Sequence, residues 1–191
     1  MTTAPLKALT GERVVVRAPA PGDEHALVEM ATDPRVRRYL GGPKDQGVAE
    51  ADAARKVGEA RWGQFVIVDR AAGVVAGSGS VARKRGPWEI SYQLRHPFWR
   101  RGLAGEAVAL VRDWFFATTG EDLLIATTQQ ANLASQRLLE RLGAVRAGSF
   151  EQYGLTQLRF DFHRPGHRVP CSSPAVTSRP DGPSPRGDRH D

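Results

Sequence analysis

Apolar and polar positions change period along the chain, and each change marks an element. Arg13–Arg17 (RVVVR) is short and β-branched and predicts a strand. Pro21, Gly22 and Asp23 form a turn signal, and Asp23 is placed to cap a helix running through Met30. Asp33 and Pro34 open a short helical turn to Tyr39, broken by Gly41, Gly42 and Pro43. Ala49–Arg61 holds mostly helix formers, interrupted by Gly58. Three strand-like runs follow, Phe65–Val68, Val74–Val81 and Trp88–Leu94, joined by loops short enough for an antiparallel meander. From Gly102 the spacing becomes helical, with Leu103, Ala107, Leu110, Val111 and Trp114 on one stripe and Gly120 as the stop. Leu123–Thr128 predicts a strand. Asn132 then caps a helix carrying Ala134, Leu138 and Leu142, which Gly143 ends. Val145–Phe150 and Thr156–Phe162 close as a strand pair. The order β-α-α-α-β-β-β-α-β-α-β-β predicts an α/β (α+β) class: a mixed, mostly antiparallel sheet with helices packed on it.

Composition changes this picture at one place. After Arg164 the chain reads PGHRVPCSSPAVTSRPDGPSPRGDRHD, too poor in apolar side chains to offset its chain entropy, so residues 165–191 are expected to be a disordered tail beyond a domain over 1–164. The 191 residues hold one cysteine, Cys171, which lies in that tail. An intramolecular disulfide is thereby excluded, and a reducing, cytoplasmic location is expected. No apolar run reaches the ~20 residues of a membrane span, and Met1–Arg13 lacks the apolar core of a signal peptide.

The net charge of +6 suggests nucleic acid, but its make-up argues otherwise. Of 27 basic residues only Lys7, Lys44, Lys56 and Lys84 are lysine, and the arginines are scattered, with short clusters at Arg37–Arg38, Arg83–Arg85 and Arg100–Arg101. Solvated surface charge accounts for most of them, and nucleic acid is not the expected partner. The five histidines are far apart in sequence and no zinc-like spacing exists, so no metal is expected. No G-x-S-x-G elbow is present, which leaves acyl-enzyme hydrolysis unsupported.

The chemistry concentrates around position 100. The strand ending at Leu94 leads through a linker into Arg100-Arg101-Gly102-Leu103-Ala104-Gly105 and a helix. A helix start leaves N–H groups unpaired and partly positive, small residues let an anion approach, and two arginines stand beside them. That suits a phosphate or pyrophosphate. Taken alone, the same segment also reads as a tight turn with Ala104 packed on the sheet. It is neither a P-loop nor a dinucleotide fingerprint.

Two segments together are more specific. Trp99-Arg100-Arg101-Gly102-Leu103-Ala104-Gly105-Glu106-Ala107, followed by Asn132, Ser135 and Leu142-Gly143-Ala144, resembles the GNAT acyl-CoA N-acyltransferase superfamily. The similarity is greatest to the branch containing the N-terminal acetyltransferases of ribosomal proteins, and it covers residues 6–164 in order. The resemblance implies acetyl-CoA in a cleft between splayed strands Trp88–Leu94 and Leu123–Thr128. It places pantetheine against Gln93 and Leu94, and pyrophosphate on the N–H groups of Arg101 to Gly105. Asn132 would meet the pantetheine arm, and Ser135 the thioester sulfur. The acceptor would be a primary amine, a protein N-terminus or a small molecule, bound near Tyr39–Asp45 and the Gln152–Leu155 turn.

Amine attack on a thioester needs a proton acceptor, an oxyanion donor and a tolerated thiolate. The candidates are Glu89 as base, an N–H near Gln93 or Leu94 for the oxyanion, and Ser135 for the thiolate. Glu89 also reads as a solvated strand residue, and Ser135 as a first-turn serine bonded to backbone. Alternation puts Glu89, Ser91 and Gln93 on one face, leaving Tyr92 on the other as packing. The sequence departs from the family at three positions: Trp99 stands where many members have Gln or Arg, Ser91 where the branch has Gly, and Leu139 where many have a proton-donating Tyr. A non-catalytic acyl-CoA-binding module and an RNA- or ribosome-surface binder are the competing expectations. The chain is expected to be a monomer or homodimer.

Overall fold

The computed structural model describes residues 5–83 and 86–166. The expected tail from 167 onward, with Cys171, lies outside the described residues.

The strands are β1 (Leu9–Thr10), β2 (Val14–Arg17), β3 (Gln64–Asp69), β4 (Val74–Ala82), β5 (Trp88–Leu94), β6 (Leu123–Gln129), β7 (Val145–Gln152) and β8 (Leu155–His163). They form one sheet in the order β1-β2-β3-β4-β5-β6-β8-β7. All neighbouring pairs are antiparallel except β5–β6. The helices are α1 (Glu24–Thr32), α2 (Pro34–Arg37), α3 (Gln46–Gly58), α4 (Leu103–Thr119) and α5 (Leu133–Arg141), with a short 3-10 turn at His96–Phe98. The mixed α/β architecture is the one expected.

Strand alternation divides the core in two. On β3, Phe65 and Ile67 join α4 residues Ala107, Val108, Val111 and Phe115 in the larger cluster. Val66 joins Leu27 and Met30 of α1 and Ala53 of α3 in the smaller one. Helices α4 and α5 therefore cover one face, and α1–α3 the other. The run Trp114-Phe115-Phe116 belongs to the core: both phenylalanines are buried, and Trp114 packs on Trp62 with ring centroids 5.1 Å apart.

Several boundaries shift for local reasons. Asp23 does not cap α1. Its carboxylate accepts from the Arg17 guanidinium at 2.6 and 2.9 Å and from the Ala20 N–H at 2.8 Å, so the ion pair takes the oxygens a cap would use. Helix α2 stops at Arg37, and the chain from Leu40 to Gly42 is held by that arginine's hydrogen bonds to the Leu40 and Gly42 carbonyls. Helix α3 begins at Gln46 because Asp45 caps it, accepting from the Gly47 and Val48 N–H groups.

Candidate active site

The site begins with a defect in the sheet. Strands β5 and β6 pair only at Trp88↔Leu124 and Glu89↔Ile125, although β5 continues to Leu94 and β6 to Gln129. On the far side of each strand, β4 and β8 stay paired throughout. Beyond Glu89 the two facing edges open into a gap. The Arg95 N–H donates to Ala76 on the β4 side. Antiparallel alternation then turns the main-chain groups of Gln93 toward β4 and those of Tyr92 and Leu94 toward the gap. Of the two expected oxyanion donors, the Leu94 N–H has the orientation.

Two helices start at the open end. Helix α4 has Gly102 at its N-cap, left-handed at φ 78 and with no side-chain cap. Its first N–H groups meet no side-chain acceptor, and a Cβ on Gly105 would meet nothing within 4 Å. Arg100, exposed and also left-handed at φ 61, makes no side-chain hydrogen bond or ion pair among the described residues. A bare helix start with open space and a free cation fits a pyrophosphate.

Arg101 is placed differently from its neighbour. Its guanidinium lies 2.8 Å from the Asp69 carboxylate, which is 2% exposed, and 5.4 Å from the Phe98 ring centre. It fastens the loop to the β3–β4 turn, where the sequence suggested a second cation free for phosphate. Leu103 is buried in the core, so its contribution to the loop is its N–H group and an apolar anchor. Ala104 packs against the same core while its N–H belongs to the bare turn, so both readings of that residue hold together. Glu106 accepts the Arg13 N–H at 2.9 Å and ties α4 to β2. Trp99 donates its indole N–H to the Leu94 carbonyl at 2.9 Å and meets the His96 ring edge-on at 4.8 Å. This departure from the family pattern pins the loop to the end of β5.

At α5, Asn132 accepts the Ser135 N–H at 3.2 Å, confirming the cap, and Gly143 ends the helix at φ 84. Ser135 is half-buried, and its hydroxyl is 2.8 Å from the Tyr92 hydroxyl. Tyr92 was expected only to pack. It does lie on the face opposite Glu89, but its ring spans from β5 to α5 across the gap and ends on Ser135. Burial, opposed by the Ser135 hydrogen bond, pushes its phenol above the usual tyrosine range. Strand parity showed the face, and only the distance between β5 and α5 shows the partner. Leu139 is fully buried, so no proton donor stands there, and Tyr153 is 91% exposed on the β7–β8 turn.

On the other face, Glu89 accepts a hydrogen bond from the Thr127 hydroxyl across the last paired rung. Gln129, on the same face of β6, donates to the Tyr39 carbonyl at 3.2 Å. A cavity of about 240 Å³ lies beside this row, between β4–β5 and the α1–α3 layer. Ser91 and Gln93 line it from β5, Ser78 from β4, and Arg37, Leu40 and Lys56 from above. The predicted acceptor wall is thus represented by Leu40. Glu89 and residues 152–155 are not among the lining residues.

Among the described residues no group of His, Cys, Asp and Glu side chains is arranged to hold a metal ion, and no helix is long and apolar enough to cross a membrane. Many arginines are matched to acids, as in Arg17–Asp23, Arg95–Glu29 and Arg159–Asp161, rather than gathered into a basic patch.

A splayed parallel pair, an uncapped glycine helix start beside it and a hydroxyl pair across it define an acyl-transfer architecture. Residues 13–145 match the acetyltransferase (GNAT) domain, and the chain belongs to that family of acetyltransferase enzymes. It is 26% identical over 153 residues to the uncharacterized N-acetyltransferase YoaA of Bacillus subtilis, covering 76% of this chain and 86% of that one. The fold is similar to that of a GNAT-family acetyltransferase from Bacillus anthracis, with TM-score 0.74 and 20% identity over 82% of this chain and 98% of the other. It is also similar to RimL, a ribosomal L7/L12 alpha-N-protein acetyltransferase solved in complex with coenzyme A. There the TM-score is 0.68 and the identity 14%, over 82% of this chain and 98% of the other.

Proposed function

We propose that the chain transfers an acetyl group from acetyl-CoA to a primary amine, a protein N-terminus or a small molecule, by direct attack within a ternary complex. The observation that carries this reading is the β5–β6 gap flanked by the bare start of α4. Bound acetyl-CoA supplies an activated thioester and a thiol leaving group.

The residues divide the work by face. The N–H groups of Arg101 to Gly105 hold the pyrophosphate, helped by Arg100. Leu94 turns its N–H into the gap and polarises the thioester carbonyl. Asn132 shapes the start of α5 and its amide N–H₂ reaches the pantetheine arm. The amine enters from the α1–α3 face. Its nitrogen forms the C–N bond as the C–S bond breaks, and its proton passes to Glu89 through water. The thiolate leaves toward the opposite face, where the Tyr92–Ser135 pair gives it a proton; the pair then regains one from solvent as Glu89 releases the amine's proton to solvent. That pair does the work that Leu139 cannot. A tyrosine phenol is protonated at neutral pH, and burial moves Tyr92 further from ionisation, so its hydroxyl is present as a donor.

The test compares Glu89→Gln, Ser135→Ala and Tyr92→Phe with the parent protein. Loss of a positioned acid or base costs about 10²–10⁴ in rate. Turnover is expected to fall by at least about tenfold in each, with acetyl-CoA affinity by calorimetry little changed. Parent-like turnover in a variant removes that residue from the mechanism. Absence of acetyl-CoA binding to the parent protein removes the whole reading.

A further inference from the structure

The cavity on the α1–α3 face has an uneven charge. Its lining includes two cations, Arg37 and Lys56, and no carboxylate. Lys56 is half-buried and makes no hydrogen bond or ion pair among the described residues. The nearby acid, Asp52, is shared between Lys44 at 2.5 Å and Arg55. Burial, reinforced by Lys44, Arg55 and Arg37 and opposed only by Asp52, pushes the Lys56 ammonium below the usual lysine range. Arg37 spends Nε on the Gly42 carbonyl and Nη2 on the Leu40 carbonyl, which leaves Nη1 without a partner among the described residues. A partly desolvated cation without a counter-charge is costly, and that cost is relieved when an anion arrives.

The remaining lining adds a second requirement. The Gln93 amide donates to the Ser78 hydroxyl at 3.2 Å, but its Oε1 is buried without a partner, as is Oε1 of Gln64. Buried acceptors of this kind call for a donor. Gln93 stands on β5, next to the gap, whereas Lys56 stands on α3, across the cavity. The wall therefore asks for an anion at its far side and an N–H donor at the side nearest the gap.

Resting on the acetyl-transfer reading, we propose that the acceptor is a primary amine that also carries a compact oxyanion, a carboxylate or a phosphate-type group. The oxyanion sits on Lys56 and Arg37. The amine lies beside Gln93, directed toward the gap. Diamines and polycationic amines are poor acceptors, because their second charge meets two cations and no acid.

The test uses amines matched in length: β-alanine, aminoethylphosphonate, β-alaninamide and diaminopropane. Their N-acetylated forms are titrated calorimetrically into the full chain without acetyl-CoA, and the free amines are assayed for transfer with it. Either oxyanion form is expected to bind and react at least about tenfold better than the amide, with the diamine poorest. Preference for carboxylate over phosphonate, or the reverse, says which oxyanion the site takes. Lys56→Met is expected to collapse the oxyanion-to-amide ratio to within about twofold, and Lys56→Arg to preserve most of it. Equal or better binding of the amide or diamine overturns the proposal, as does a ratio that Lys56→Met leaves intact. Acetyl-CoA titration separates the two readings. If acetyl-CoA binds and no oxyanion preference exists, only this inference fails. If acetyl-CoA does not bind, the transfer reading fails with it.

Discussion

Helices α4 and α5 begin side by side at the open end of the same gap, and they begin in opposite ways. Helix α5 is closed by a side chain: Asn132 accepts the Ser135 N–H at 3.2 Å. Helix α4 is opened by a glycine at φ 78, with no side-chain cap and empty space over Gly105. Every helix start carries the same unpaired donors and partial positive charge. What differs is whether the chain satisfies them itself. At α5 it does, and the ordered turn fixes Ser135 against Tyr92. At α4 it does not, and the donors remain for a ligand. One start positions a side chain, and the other, in the function proposed above, is itself the binding surface.

The sharpest way to break the comparison is to close α4 without damaging it. Gly105→Asp puts a carboxylate in the first turn, where a Cβ meets nothing within 4 Å. An acid there is worth about 0.3–1 kcal/mol to the helix, and losing a helical glycine adds a similar gain. Thermal stability is therefore expected to hold or rise. Acetyl-CoA affinity is expected to fall by at least about tenfold, because the new charge faces the pyrophosphate. Unchanged affinity by calorimetry would mean that α4 is not the phosphate site.

The second prediction opens α5 instead. Asn132→Ala removes the cap and costs about 1 kcal/mol of stability, read from denaturant unfolding, whereas Asn132→Ser retains most of it. Turnover is expected to fall more than acetyl-CoA affinity, since the uncapped turn no longer holds Ser135 at the Tyr92 hydroxyl. An alanine variant with full stability and full turnover would reduce Asn132 to a bystander.

These two starts also show what the sequence made legible. The cap at Asn132, the stop at Gly143 and the glycine entry to α4 are local, written within four residues, and they were readable. So was the sheet's alternation, because a half-buried strand declares its faces. Three features were not. Arg101 looks identical to Arg100 until Asp69, from a turn thirty residues away, takes its guanidinium. Asp23 has the residue type of a cap, but Arg17 competes for its oxygens at 2.6 Å. Tyr92 has correct parity and an unpredictable neighbour, since the reach from β5 to α5 depends on how far β5 and β6 splay. Each miss is a partner on another element for a polar group whose local grammar was correct, whether it is near in sequence, as Arg17 is to Asp23, or far, as Asp69 and Ser135 are. The cavity proposed for the acceptor is the extreme case. It is built from α1, α2, α3, β3, β4 and β5 together, so no single segment signals it.

The smallest effect comes from a third helix start. Asp33 caps α2 by accepting the Arg35 N–H at 2.8 Å, and it also pairs with the Arg35 guanidinium at 2.7 Å. The Arg35 side chain is the main cause that lowers its carboxyl to about 2. A depressed carboxylate adds stability that is fully present above its unfolded value, near 3.8, and is lost as pH falls through the folded one. Asp33→Asn keeps a capping oxygen but drops the charge. The stability gap between the parent protein and the variant is therefore expected to be flat from pH 7 to about pH 4 and to shrink between about pH 4 and 2. Arg35 is open to solvent although the Asp33 side chain is largely covered, so the gap should be small, like that of a surface ion pair, and should narrow in high salt. A gap undiminished at pH 2 would mean that it arises from a difference between the two neutral capping groups and not from the carboxylate charge. The charge at this start would then be dispensable, as the side chain is at α4.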